Sequence, residues 1–176
     1  MASSIVYHSK TGSCKKYATL LSAALHLPAY PDGKAPRRSG GEVIYVGWAL
    51  AGKVVGLKKA LKNYDLAGVV LVGMSPVYPN SVEKARAANG LGDELPLFVL
   101  QGGFDMAKLS GPMKLIMKVK CREIAAGLER KKDSLSPAEQ ALYTMVTTGR
   151  GEPPVWDVSE IVRHYLPDGG GLHQAQ

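Results

Sequence analysis

Apolar and polar positions alternate in blocks along this chain, and the blocks read as strands and helices in turn. Ser4–His8 is a short apolar run, and Lys15–Leu25 follows it with helical character. Leu27–Tyr30 is a short strand candidate, and Pro31–Gly41 is turn-rich and broken. Glu42–Gly47 carries the β-branched and aromatic side chains of a strand. Val54, Leu57, Leu61 and Tyr64 lie at near-helical spacing with Lys58, Lys59 and Lys62 on the wet side, which predicts a helix over Val54–Tyr64. Leu66–Gly73 is almost continuously apolar, as a strand covered on both faces must be. Ser81–Asn89 reads as a helix stopped by Gly90, and Leu95–Gln101 as another apolar strand.

The later part reads differently. Ser110-Gly111-Pro112 opens a helix whose Met113, Met117, Cys121, Ile124 and Leu128 form one stripe. Lys114, Lys118 and Arg122 run beside that stripe, and Leu115, Ile116 and Val119 widen its apolar surface. Ser136-Pro137-Ala138-Glu139 signals a further helix start, and Asp157-Val158-Ser159-Glu160 has capping-box spacing before a last helix. Alternating strands and helices predict a parallel sheet wrapped by helices on both faces, with ligand at the carboxyl ends of the strands. The expected organisation is one domain over residues 1–167, with a helical insertion at about 104–147 and a flexible tail at 168–176.

Composition narrows the function classes. At 176 residues with 45% apolar and 21% charged side chains, the chain suits one soluble domain. No stretch has the length of a membrane span, and no basic leader precedes a long apolar segment, so the expected location is the cytoplasm. Two cysteines and four scattered histidines offer no disulfide framework and no metal-ligand spacing. No Gly-x-Ser-x-Gly elbow marks a nucleophile, so no catalytic side chain is assigned. The net charge is +7, of which the segment Lys108–Lys132 alone carries +6. A local patch of that kind argues against a nucleic-acid partner. It suits either an anionic membrane surface, an acidic redox partner or a carboxylated substrate, or else the wet side of an ordinary packed helix.

The segment Ser9-Lys10-Thr11-Gly12-Ser13-Cys14, between the first strand and the first helix, carries the sharpest candidate chemistry. Main-chain amides and the positive end of a helix attract a phosphate there, and glycine allows close approach. The spacings of nucleoside-triphosphate and dinucleotide loops are absent. The alternative is a plain strand-to-helix turn of small polar residues. Cys14 beside Lys15 and Lys16 reads either as an acidified thiol or as a small residue fitted under the loop.

With Ser9, Thr11, Gly12 and Ser13 in this order after the first strand, the chain resembles the flavodoxin family, with Cys14 where a threonine usually lies. The resemblance implies a three-layer α/β sandwich around a five-stranded parallel sheet of order 2-1-3-4-5. It also implies FMN as cofactor, with its phosphate on Ser9, Lys10, Thr11, Gly12, Ser13 and Cys14. Loops Gly47–Lys53 and Met74–Pro79 would then flank the flavin ring, through Trp48, Ala49, Leu50, Ala51 and Gly52 on one side and Ser75, Pro76 and Tyr78 on the other. Aromatic rings stack on a flavin and exclude water, while the flavin itself accepts the electrons. Gly102–Ser110 and Met113–Lys118 resemble the insertion of flavodoxin-like, quinone-linked protoporphyrinogen oxidases. That narrower likeness implies oxidation of a tetrapyrrole, electrons passed to a quinone, and contact with the inner membrane face through Lys108–Lys132. The expected function is therefore electron transfer or an FMN oxidoreduction, with a redox partner protein or quinone as acceptor. The other expectation, drawn from Cys14 and the eroded second unit, is a binding domain of the same fold without cofactor.

Overall fold

Side chains alternate from face to face along the central strands, and the two faces build separate cores. A computed structural model describes residues 1–37 and 40–167; Arg38, Ser39 and the tail expected at 168–176 lie outside the described residues. In β1 (Ala2–His8), Ile5 enters one core and Val6 the other. In β3 (Glu42–Leu50), Ile44 and Val46 oppose Val43 and Tyr45; in β5 (Asp65–Gly73), Val70 and Val72 oppose Val69 and Leu71. The first core is closed by α1 (Ser13–Leu25) and α6 (Ser159–Tyr165), and the second by α2 (Leu57–Asn63) and α3 (Ser81–Asn89).

The fold is α/β, with a mostly parallel sheet of five strands and, among the described residues, six α-helices. With β2 (Ala29–Pro31) and β6 (Leu97–Gln101) at the edges, the order is β2-β1-β3-β5-β6. This differs from 2-1-3-4-5 because a short strand, β4 (Lys53–Val54), takes the fourth place along the chain and pairs antiparallel with β3. Counted among the parallel strands alone, the spatial sequence is second, first, third, fourth, fifth.

That hairpin corrects two expectations. Trp48, Ala49 and Leu50 are not loop residues: β3 runs on past its pairing with β1, and turns at Ala51 (φ 49°) and Gly52 (φ 78°) into β4. Two successive positive φ angles suit a tight hairpin turn, whose twist matches that of its strands. The helix expected from Val54 begins at Leu57, because Lys53 and Val54 form the return strand.

A third core lies within the stretch expected as an insertion. β7 (Phe104–Asp105) and β8 (Arg150–Gly151) pair antiparallel and bracket α4 (Gly111–Glu129) and α5 (Pro137–Thr148). Cys121 and Leu128 of the α4 stripe are buried with Leu142 and Met145 of α5, and Met113, Met117 and Ile124 pack against them. At the expected helix start, Ser136 and Glu139 form a capping box. At α6 the reciprocal box is absent. Asp157 instead accepts from both the Ser159 amide (2.8 Å) and its hydroxyl (3.0 Å), one residue outside the assigned cap. Ser110 likewise occupies the N-cap of α4 without a side-chain cap bond. No helix among the described residues is long and apolar enough to cross a membrane, and none of their His, Cys, Asp and Glu side chains group as metal ligands.

Candidate functional site

A cavity of about 590 Å³ opens at the carboxyl ends of β1, β3, β5 and β6, within the size range of small-molecule sites. Ser9, Lys10, Thr11, Ser13 and Cys14 form one wall, Trp48–Gly52 a second, and Gly73–Pro76 a third. The structure thus brings together most of the residues singled out in the sequence.

Local geometry explains the first wall. Gly12 stands at φ 110°, where a side chain would be strained, and turns the chain from β1 into α1. The N-cap residue of α1, Gly12, has no side chain with which to cap the donors of its first turn. The Ser13 hydroxyl is already committed, donating to the Gly103 carbonyl at 2.9 Å. Ser9 Oγ and Trp48 Nε1, by contrast, are buried with no hydrogen-bond partner among the described residues. Buried polar groups are normally paired, so both mark places where a partner belongs.

Cys14 departs from the acidified-thiol reading. It is buried, and burial pushes its thiol up to about 12 despite the neighbouring lysines. Loss of hydration outweighs the helix end here, because Lys15 and Lys16 face solvent while the sulfur does not.

Tyr78 also stands apart from its expected role. It does not line the cavity; it is half exposed, and its hydroxyl donates to Glu139 Oε1 at 3.3 Å. Its amide donates to Ser81 Oγ at 2.8 Å, tying the segment to the start of α3. Burial of the hydroxyl and the Glu139 carboxylate push the phenol upward. Trp48 alone of the two aromatics lines the cavity, while Ser75 and Pro76 line it as expected.

Sequence reasoning missed the roof. Phe104, Leu109, Met113, Ile116, Met117, Lys120 and Ile124 close the cavity from the insertion, and Lys84, Ala85 and Ala88 of α3 complete it. Met113 and Met117 serve both the insertion core and the cavity wall. The methionine stripe held the available signal, since flexible thioethers suit both tasks. Comparison of the chain with family models, curated proteins and solved structures finds no match.

Proposed function

We propose that this chain is an FMN-binding, flavodoxin-like protein working in electron transfer or as an oxidoreductase. The supporting observation is the meeting of Ser9 and Trp48, each with a buried polar atom lacking a hydrogen-bond partner among the described residues, in the wall of one large cavity at the strand ends. A ligand with acceptor atoms along a flat apolar body suits that wall. FMN, when bound, supplies the electron-accepting ring. The segment Ser9 to Cys14 holds its phosphate through main-chain amides. Trp48 to Gly52 and Met74 to Pro76 flank the ring, with Tyr78 outside the contact. Met113, Ile116 and Met117 keep water from it. No side chain of the chain needs to exchange a proton with substrate.

The thermal midpoint tests this reading. A ligand bound only by the folded state at a hundred times its dissociation constant adds about 2.7 kcal/mol, or roughly 5–10 °C at this length. An unchanged midpoint with excess FMN would support the cofactor-free binding domain instead.

A second reading, dehydrogenation of a protoporphyrinogen-type tetrapyrrole with electrons passed to quinone, is favoured by the roof. The insertion lays apolar side chains and Lys120 over the same cavity, where a flat carboxylated ring would lie. Away from the cavity lining, Leu115 and Val119 of α4 are 66% and 48% exposed beside Lys114 and Lys118, a face suited to an anionic lipid surface. Flavin-loaded protein that yields fluorescent porphyrin only with quinone supplied supports this reading, and failure to produce it removes it.

A further inference from the structure

A second cavity, of about 380 Å³, adjoins the first and shares Thr11, Ser13, Gly103 and Phe104 with it. The two differ in character. The first is walled mainly by apolar side chains, whereas the second gathers Lys16, Lys108 and Arg150 with Asp105 and Glu152. Gly12 belongs to the second cavity and not to the first.

The charges are not evenly matched. Glu152 Oε2 lies 3.3 Å from Lys16 Nζ and accepts from the Trp156 indole at 3.3 Å. Lys16 in turn sits 4.0 Å from the centre of the Trp156 ring. Asp105 caps its own turn, accepting from the Ala107 amide at 3.0 Å. Both carboxylates therefore have nearby partners. Lys108 Nζ donates to the neutral Thr11 carbonyl at 3.0 Å and approaches Asp105 only to 4.0 Å. It stands over the loop, 3.4 Å from where a Cβ on Gly12 would lie. The Arg150 guanidinium makes no hydrogen bond or ion pair among the described residues, and acts on Glu152 only through its charge. Two cations thus face one compartment with weak claims on them, and both come from outside the parallel sheet.

We propose that this polar cavity is the head-group compartment of the site, and that Lys108 and Arg150 make the chain prefer FMN over unphosphorylated riboflavin. The inference rests on the flavin reading above. A phosphate dianion among amides gains ordinary hydrogen bonds, whereas an ammonium and a guanidinium add charge-assisted ones, the guanidinium in bidentate form. The division of labour follows from the walls: the apolar cavity takes the ring, the polar one takes the charge, and the Thr11–Ser13 edge lies between. The insertion would then do more than roof the ring, since it would also read the phosphate.

The test titrates the full chain, freed of bound flavin, with FMN and separately with riboflavin, in the wild type and in Lys108→Gln, Arg150→Gln and the double variant. The double variant should bind FMN about ten- to a hundredfold more weakly, with riboflavin changed by less than about twofold. An equal loss for both ligands, or no loss for FMN, overturns the inference. Wild-type protein that binds both flavins equally well overturns it while leaving the flavin reading intact; wild-type protein that binds neither overturns both. A measurement on the wild type alone guards against a variant that fails to fold. The Arg150 side-chain Nε–H resonance should move with FMN and with inorganic phosphate but not with riboflavin, and a resonance that stays in place under FMN contradicts the assignment.

Discussion

The Tyr17 hydroxyl donates a 2.6 Å hydrogen bond to the main-chain carbonyl of Gln101, fastening α1 to the end of β6. The Gln101 side chain extends that tie, donating to the carbonyls of Met74 (3.0 Å) and Ala138 (2.9 Å). Helix α1, the segment after β5 and the start of α5 are thereby held in one frame around the cavity. Tyr17→Phe leaves a buried carbonyl without its donor and should cost about 1–3 kcal/mol. Urea unfolding should show a lower midpoint with an unchanged slope.

Stability should fall on the alkaline side. Burial raises the Cys14 thiol from 9.0 to about 12, and burial chiefly raises the Tyr17 and Tyr165 phenols from 10.0 to about 12. The folded chain therefore holds protons that the unfolded chain has released between pH 9 and 12. Their contribution is complete below pH 9 and is lost as the pH rises toward 12. Urea midpoints should decline above about pH 9, and Cys14→Ala should delay the onset. An onset unmoved by that substitution contradicts the assignment to Cys14.

The acid limb has a different origin. The hydrogen bond from Lys131 Nζ (2.7 Å), followed by that from the Ser136 amide, lowers the Glu139 carboxyl from 4.5 to about 2. A depressed carboxylate stabilises the fold above its unfolded pKa, so this contribution is present above pH 4.5 and disappears as the pH falls toward 2. Glu139→Gln should flatten this part of the acid limb in a series of urea midpoints. An acid limb identical to that of the wild type would place its origin in other carboxylates.

The sequence carried the layered architecture because strands buried on both faces leave little ambiguity. Val69 to Val72 alternate between two cores, and no polar residue interrupts them. The phosphate-loop candidate was legible because Gly12 is a local backbone requirement, here met at φ 110°. What stayed hidden depends on tertiary contacts. Nothing near Trp48 in the chain announces that β3 will continue and fold back as β4. Tyr78 is drawn away by Glu139, 61 positions later. The α4 stripe reads equally as core or cavity wall, and Met113 and Met117 turn out to be both.

Trp48 offers a direct probe of the proposed flavin contact. It packs against the first core and lines the cavity, so truncation and conservative replacement separate its tasks. Trp48→Ala should weaken FMN binding by about tenfold, while Trp48→Phe, which keeps an aromatic face, should weaken it less. Quenching of intrinsic tryptophan fluorescence during a flavin titration reads both variants. Equal affinity in all three proteins would remove Trp48 from the site.

The central claim is that one flavin mononucleotide occupies the space between the Ser9–Cys14 segment and the β3–β4 hairpin. The visible absorption spectrum of the protein, after incubation with FMN and removal of the free ligand, tests it most directly. The account predicts retained yellow absorbance with a shifted, structured flavin band at about one equivalent per chain, lost when Gly12 is replaced by a bulky residue. A colourless protein after that treatment would contradict it.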